Sequence, residues 1–503
     1  MTSSLVGSEM CIRDSSNTII TIFEPLLLIN ENNEVIGGQA ESWEASEDGL
    51  TWTFTMRDGL KWSDGTDLTA KDFEYSFKRM ANPDTAAPYA ATCLGMIDGF
   101  DAAQAGDTDA LNVKASDDGK TLTIVLAYPC SYFDKMAAFA AMSPVQQATV
   151  EANGDSWCTS AETFVSNGPY MITDWTPSER IVLTKNPNYV GGWDNSKIVS
   201  DTITLLLLED SSAAFAAYNS GEAVLIKDVP TDEIPSLTKA EDGGDFYVDT
   251  ILGTYYISLN DQKEPFTDAK VRKALSLAID RDYVANTIMQ GTYSAASNIV
   301  GPGIVDENGY FYDNANGGSP YIADDYEANL AEAKKLLEEA GYPNGEGYPT
   351  IEYSTNDAGY HVPLAEYLQQ AWGDLGITLT INKMEWSSFT PARRAGEYDV
   401  ARNGWVMDYN DPSNMIELFT TTNGNNDGKY SNPEFDAAIE ASKIADKSVH
   451  FQKLHEAEDI LMEDAGAIPV AYYTDFWLQS PSLKGTWHSP YGYWYLQYGY
   501  IEE

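Results

Sequence analysis

The sequence predicts a mixed α/β fold. Short runs of β-prone residues recur along the chain, and longer segments with apolar residues at helical spacing lie between them. A length of 503 residues predicts two or three domains, and a hydrophobic content of 43% can supply a core for each. The chain has no internal repeat that would indicate a solenoid.

The predicted strands are short apolar or alternating segments bounded by turn residues. They are residues 50–56, 122–126, 181–183, 202–207 and 255–259, followed by a segment that ends at Val400.

The predicted helices carry apolar side chains at a period of three to four residues. Residues 271–289 have this period, and Gly291 follows them as a stop signal. Residues 330–340 have the same period and precede Gly341 and Pro343, which terminate helices.

The charge of the chain excludes one class of partner. Thirty basic residues against 77 acidic ones give a formal charge of −47. Such a chain repels nucleic acid and anionic membrane surfaces, so neither is expected as a direct partner. No apolar run reaches the roughly 18 residues that a membrane-spanning helix needs.

The first residues do not resemble natural protein sequence. The codons GAG-ATG-TGT-ATA-AGA-GAC, found in a transposase end used for sequencing libraries, translate to the residues from Glu9 to Asp14. We interpret residues 1–15 as translated adapter fused to a truncated gene, and exclude them from fold reasoning. Cys11 is then not a lipoprotein cysteine, and the export signal is expected to be missing.

The segment most informative about function is YDVARNGWVMDYNDP, from Tyr398 to Pro412. It places Arg402 and Asp408 on either side of the apolar run Trp405-Val406-Met407. A buried carboxylate needs a cationic partner. The partner is either internal, in which case Arg402 and Asp408 form a structural pair, or it arrives with a ligand.

This segment resembles the peptide-binding region of extracellular solute-binding proteins of family 5, the oligopeptide- and dipeptide-binding proteins of ABC transporters. The resemblance runs from about Ile19 to the C-terminus. It is carried by four further segments that occur in the family's order: GGQAESWEASEDGLTWTF and its continuation to Ala90, NGPYMITDWTPSERIVLTKNPNYV, TYYISLNDQKEPFTDAKVRKALSLAIDRDYV and NLAEAKKLLEEAGYPNGEG.

The resemblance implies a two-lobed periplasmic-binding-protein-like α/β fold (type II, cluster C), with an inserted domain and a hinge between the lobes. The expected hinge crossovers lie near residues 259–260 and 478–480. The implied division is a discontinuous domain I (residues 16–36, 162–259 and 479–503), an inserted domain II (residues 37–161) and a domain III (residues 260–478).

The resemblance also implies the ligand-binding residues. Asp408 would hold the α-ammonium of a peptide. Arg402, Arg393 and His361 stand where the family's carboxylate partners stand. The other implied contacts are two pocket tryptophans, a tyrosine of the inserted domain and a cleft glutamate: Trp386, Trp405, Tyr89 and Glu24.

The implied function is that of the substrate-binding protein of an ABC importer. It would bind oligopeptides and deliver them to a permease with its ATPase subunits. It would act as an exported monomer, periplasmic or lipid-anchored, that needs no cofactor or metal. Other ligands within the family stay open: dipeptides, murein peptides, nickel, haem, glutathione or sugars.

Enzyme functions have little support in the sequence. His450 and His455 are five residues apart and do not form a zinc motif, and no GxSxG, Walker or GxGxxG sequence has the required context. A hydrolase that uses a carboxylate pair is the alternative from another class, and the many acidic residues leave it open.

Three cysteines remain after Cys11 is set aside. Cys130 and Cys158 would lie in the same lobe of an exported protein, where disulfides form. We expect these two to be bridged and Cys93 to be free. The alternative is that Cys130 and Cys158 are two buried thiols.

Overall fold

A computed structural model describes residues 17–208, 210–227 and 229–502 of the chain. The segment interpreted as adapter, with Cys11, lies outside the described residues. The chain forms two compact units, residues 1–229 with 477–503, and residues 230–476. The division into three domains, with its hinge positions, stays a prediction. Across the described ranges, none of the helices combines the length and the apolar character needed to span a membrane.

The first unit contains a four-stranded antiparallel sheet and a three-stranded antiparallel sheet. Two-residue and three-residue strand pairs complete it. Its strands are Leu27–Ile29, Val35–Gly37, Ala40–Ala45, Thr51–Met56, Val113–Ala115, Thr121–Val125, Tyr170–Thr176, Arg180–Lys185, Thr202–Leu206, Leu225–Ile226, Leu483–Lys484, Trp487–His488, Trp494–Tyr495 and Tyr500–Ile501. Its α-helices include Ala70–Ala81, Ala90–Leu94, Phe100–Gln104, Phe133–Ala137, Gln147–Asn153 and Ser211–Ser220.

The core of the first unit follows from the period of its strands and its longest helix. Strand Thr51–Met56 buries every second side chain, as a sheet with one covered face requires. Helix Ala70–Ala81 begins with a capping box between Thr69 and Asp72 and buries Phe73 and Phe77, which are four residues apart.

The second unit is built on one mixed sheet. In this sheet, Ile468–Gln479 is followed in order by Phe246–Leu259, Val400–Val406, Ile351–Asn356 and Leu379–Met384. Val400–Val406 runs antiparallel to Phe246–Leu259 and parallel to Ile351–Asn356. The shorter strands are Ser294–Ala295, Val305–Asp306 and Gly309–Tyr310. The α-helices include Ala269–Leu277, Arg281–Tyr283, Phe311–Asn314, Tyr326–Glu339, His361–Gly373, Trp386–Ala395, Ser413–Ile416, Pro433–Ser442 and Lys447–Glu463.

Most sequence predictions of regular structure are confirmed, including the strands near residues 50–56, 122–126, 181–183, 202–207 and 255–259. The continuous helix over residues 271–289 is wrong, because Ala269–Leu277 ends before a second helix starts at Arg281. Asp280 caps that second start by accepting a hydrogen bond from the backbone N–H of Tyr283. The buried guanidinium of Arg281 donates to the carbonyls of Ser276 and Ile279 and so satisfies the end of the first helix.

The bridge predicted between Cys130 and Cys158 is wrong for this structure. Both residues, like Cys93, are buried thiols. Cys130 is 3% exposed and Cys158 is 5% exposed. A thiol in such a setting packs as a small apolar side chain, which was the alternative from the sequence.

Candidate functional site

Arg402 lies in the interior of the second unit because of its position in the sheet. It is 2% exposed and pairs with Ile257 across the antiparallel ladder. Residues two apart in a strand share a face, so Tyr255, two residues before Ile257, lies on the same face as Arg402. Tyr353 pairs with Val400 and therefore also lies on this face. The sheet thus places two tyrosine side chains on the same face as the buried guanidinium of Arg402.

The guanidinium of Arg402 is oriented by a hydrogen bond and by stacking. Its Nε donates to Oδ1 of Asn356 at 2.7 Å, at the end of strand Ile351–Asn356. Its Cζ lies 5.0 Å from the ring centroid of Trp386 and 5.7 Å from that of Phe389. Cation–π contacts of this length favour the charged group, and they fix its plane.

His361 belongs to the same group of residues. It opens helix His361–Gly373, and its ring centroid lies 5.5 Å from that of Tyr255. Burial and the nearby charge of Arg402 hold the pKa of His361 well below its usual value, so the ring is neutral. Burial also raises the pKa of Tyr255 and Tyr353, so their hydroxyls stay protonated and can donate hydrogen bonds.

Asp408 follows strand Val400–Val406 and is half-buried. Its backbone N–H donates to Oδ1 of Asn414 at 3.0 Å, and Nε1 of Trp405 donates to the same oxygen at 3.0 Å. Its carboxylate Oδ2 is shielded from solvent and has no hydrogen-bond partner within the described residues. Burial raises the pKa of Asp408 to about 7, and the Asn414 side chain opposes this rise. Such a carboxylate is suited to accept a cation.

Arg393 has an internal partner. Its Nε lies 2.8 Å from Oδ2 of Asp427, and the two side chains are 7% and 5% exposed. Asn403 also donates to Oδ2 of Asp427, at 3.2 Å. The Arg393 Cζ lies 5.4 Å from the Phe389 ring, the ring that also contacts Arg402. Nη1 of Arg393 has no hydrogen-bond partner among the described residues, so a ligand carboxylate could join this pair.

The remaining two candidates belong to the first unit. Tyr89 precedes helix Ala90–Leu94, and its ring centroid lies 5.6 Å from that of Phe139. Glu24 is 0% exposed and burial raises its pKa to about 7. Both of its carboxylate oxygens accept hydrogen bonds from groups of its own unit: Gln39 Nε2, the Gly192 N–H and the Tyr189 hydroxyl. This arrangement favours a structural role for Glu24.

The structure therefore brings the candidates of the second unit into three groups. Arg402, Trp386 and His361 form the first group, Trp405 and Asp408 form the second through Asn414, and Arg393 forms the third with Asp427. The assignment of these residues to a ligand stays a prediction.

Sequence reasoning missed the residues that orient these groups. Asn356 and Asn414 bind the candidates directly, and both lie at element ends where polar residues are common. The signal that could have found Asn414 is its place just after the Asn-Asp-Pro turn. Asp427 lies in NGNNDG, which has only the composition of a loop.

Comparison with known proteins places the chain in one family. The family model for "Bacterial extracellular solute-binding proteins, family 5 Middle" matches residues 34–427. The chain is 36% identical over 477 residues to the periplasmic oligopeptide-binding protein OppA of Salmonella typhimurium, covering 93% of this chain and 85% of that protein. It is 34% identical over 485 residues to the oligopeptide-binding protein OppA of Bacillus subtilis, covering 94% and 86%.

Solved structures show the same fold. The Escherichia coli murein tripeptide binding protein MppA superimposes with a TM-score of 0.84 at 32% identity, covering 99% of this chain and 94% of that one. The Haemophilus influenzae OppA complex with RPPGFSPFR gives a TM-score of 0.80 at 30% identity, covering 97% and 94%. The predicted α/β fold is therefore confirmed, and the chain belongs to the bacterial extracellular solute-binding proteins of family 5.

Proposed function

We propose that this protein binds oligopeptides and delivers them to a membrane permease of the ABC type. The observation that carries the proposal is the half-buried Asp408 carboxylate, whose Oδ2 has no hydrogen-bond partner within the described residues. Asp408 lies in the turn that follows strand Val400–Val406, and this strand carries the buried guanidinium of Arg402. Relatives whose names state oligopeptide binding support the assignment.

A peptide matches this arrangement because it has one charge at each end. The α-ammonium needs a carboxylate without an internal cation, and within the described residues Asp408 forms no ion pair. The terminal carboxylate needs a planar donor group, and Arg402 presents one that is already held against Trp386. Contacts of this kind recognise features that all peptides share and leave side-chain identity open.

Arg402 and Arg393 are both candidates for the peptide carboxylate. The charge of Arg393 is already matched by Asp427 at 2.8 Å, so a ligand carboxylate would compete with that internal anion. We propose that peptides of different length use the two arginines to different degrees, and that His361 contributes a neutral donor beside Arg402.

The proposal extends to the setting of the protein. Relatives named periplasmic support export, either to the periplasm or to the cell surface with a lipid anchor. The partner would be a permease with its ATPase subunits. The bound peptide would be released unchanged, since the proposed role of the side chains is to hold its two ends rather than to attack a bond.

Isothermal titration calorimetry with one peptide in three forms tests the proposal. We expect the unmodified peptide to bind, and both N-acetylation and C-amidation to weaken binding. Asp408→Ala should weaken binding of the unmodified peptide by about 2–5 kcal/mol, since it leaves a desolvated ammonium unpaired. The N-acetylated peptide should lose little in the same variant.

Glu346→Gln is the control, because it removes one exposed carboxylate of the same unit. Equal affinity of the wild-type protein for the unmodified and N-acetylated peptides would contradict the role of Asp408. Native mass spectrometry of the purified protein gives the mass of any ligand that co-purifies with it. This mass distinguishes a peptide from the other ligand classes of the family.

A further inference from the structure

A buried histidine contacts the turn that follows Asp408. His450 lies in helix Lys447–Glu463, and its side chain is 4% exposed. Its Nε2 lies 3.2 Å and 3.3 Å from the two carboxylate oxygens of Asp411, whose side chain is 2% exposed. Its Nδ1 lies 2.7 Å from the carbonyl oxygen of Ser442. Because a carbonyl only accepts hydrogen bonds, Nδ1 is the donor there.

The histidine is suited to carry a charge. Burial opposes protonation, but the Asp411 carboxylate and the Ser442 carbonyl outweigh it and raise the pKa of His450. Glu417 also faces this pair and favours the charged ring, and the ring of Phe451 lies 5.1 Å away. Both ring nitrogens then donate to fixed acceptors, so His450 joins the end of helix Pro433–Ser442 to Asp411.

Asp411 also holds the residues that follow it. Its Oδ1 accepts hydrogen bonds from the backbone N–H of Ser413 at 3.0 Å and from its hydroxyl at 2.7 Å. The backbone N–H of Asn414 donates to the carbonyl oxygen of Asp411 at 3.1 Å. Asp411 therefore sets the start of helix Ser413–Ile416, which carries Asn414.

Asn414 completes the connection. Its Oδ1 accepts from the backbone N–H of Asp408 and from Nε1 of Trp405, each at 3.0 Å. A shift of helix Ser413–Ile416 would weaken both hydrogen bonds together and so loosen the backbone of Asp408 and the ring of Trp405. His450 itself does not need to touch a ligand for this effect.

We infer that His450 is a positioning residue of the peptide-binding site, which acts through Asp411 and Asn414 to hold Asp408 toward a ligand ammonium. The inference rests on the proposed function. It gives helix Lys447–Glu463 a part in ligand recognition. The sequence does not suggest this part, because His450 and Asp408 are far apart along the chain.

Two substitutions of His450 separate its two contacts. His450→Gln places an amide near the position of Nε2 and can still donate to Asp411. His450→Asn places its amide near the position of Nδ1 and keeps only the contact with Ser442. His455→Gln is the control, because His455 is on the same helix but faces Asp306 and the Phe311 ring.

Calorimetry is run with one peptide in unmodified and N-acetylated forms. The affinity of the form that binds more weakly is measured by titrating the form that binds more strongly into the protein that already holds it. We expect His450→Asn to lower affinity for the unmodified peptide by about tenfold, which is the weakening of roughly one charge-assisted hydrogen bond. Affinity for the N-acetylated peptide should change little. His450→Gln should retain most of the wild-type affinity, and His455→Gln should retain all of it.

A cycle with Asp408→Asn gives a second measurement. In that background His450→Asn should have no further effect, because the group that it positions has lost its charge. Asp411→Ala, which removes the acceptor shared by His450 and Ser413, should behave like His450→Asn and serves if that variant folds poorly.

Two results would overturn the inference. One is an equal loss for both forms of the peptide in His450→Asn, which indicates general destabilisation. The other is unchanged affinity for the unmodified peptide in both His450→Asn and Asp411→Ala. A wild-type protein that binds none of the peptides would instead refute the proposed function, so the two failures are distinguishable.

Discussion

The guanidinium of Arg402 stacks on the ring of Trp386, with 5.0 Å between the Arg402 Cζ and the ring centroid. Its Nε is held at the same time by Asn356 at 2.7 Å. A guanidinium fixed on one face and one edge loses little conformational freedom when a ligand binds. Under the proposed function, this planar donor group would face the carboxylate of a peptide.

Arg402→Lys should therefore weaken peptide binding although it conserves the charge. Lysine has neither the planar pair of donors nor the stacking surface. We expect a loss of about 1.5–3 kcal/mol for a short unmodified peptide, comparable to a hydrogen bond to a charged group. Calorimetry measures it, with the C-amidated peptide expected to lose less. Arg394→Lys, an exposed neighbour of Arg393, is the control. Identical losses for the two peptides would exclude a contact with the carboxylate.

Peptide affinity should depend on pH through Asp408. Its pKa is raised to about 7, so below that pH the carboxyl holds a proton that an incoming ammonium must displace. Affinity should fall as the pH is lowered from about 7.5, approaching tenfold per pH unit well below the pKa. Above about pH 8 the peptide amine itself loses its proton, and affinity falls again. Titrations between pH 5.5 and 8.5 measure both limbs.

Asp408→Asn separates the two limbs of this profile. The variant has no carboxyl to titrate at that position, so the loss on the acid side should disappear while overall affinity is lower. An unchanged acid limb in Asp408→Asn would assign the pH dependence to another group.

The pair of Arg393 and Asp427 should matter for stability. Removing one member of a buried ion pair leaves the other charge uncompensated, so Asp427→Ala should destabilise the second unit by about 3–5 kcal/mol. Urea unfolding followed by tryptophan fluorescence measures the change. Asp109→Ala removes one member of a surface pair whose Asp109 side chain is 91% exposed, and should cost about 0–1 kcal/mol. Similar losses of unfolding free energy in the two variants would mean that the buried pair contributes no more to stability than the surface pair.

Glu458 should make stability fall as pH rises. Burial raises the pKa of this residue to about 8 in the folded protein, while its ordinary value is 4.5. Between these values the folded state holds a proton that the unfolded state lacks, so stability is lost as pH rises through this range. Glu458→Gln cannot ionise and can still accept a hydrogen bond from Val300.

Melting temperatures at two pH values test this. Glu458→Gln should melt a few degrees above the wild-type protein at pH 8.5 and close to it at pH 4.5. Glu456→Gln, an exposed position on the same helix, should show no such difference. A constant difference between Glu458→Gln and wild type at both pH values would refute the assignment.

Much of the fold could be predicted because its elements follow local rules. The alternation in Thr51–Met56 and the apolar period of Tyr326–Glu339 are visible in the sequence and appear in the structure. The break before Arg281 was missed because it depends on a buried arginine that satisfies helix carbonyls, a contact that periodicity cannot show.

The candidate site was predicted in part for the same reason. Arg402, Trp405 and Asp408 lie on one strand and its following turn, so their neighbouring positions in the fold follow from the sequence. The partners Asp427 and His450 reach their places only through tertiary packing of a loop and a helix far along the chain. Pairing over such distances leaves no periodic signal in a single sequence.

The pairing of Arg393 with Asp427 bears on how the protein could respond to changes in salt concentration. Under the proposed function, the carboxylate of Asp408 and the guanidinium of Arg402 would meet the two ends of a zwitterion, so the ligand would bring no large net charge. A surface with a formal charge of −47 acts on such a neutral ligand only weakly, and ionic strength screens it further. Under the proposed function, the charge of the acidic exterior could therefore change with the salinity of a habitat and leave the affinity for peptides nearly constant.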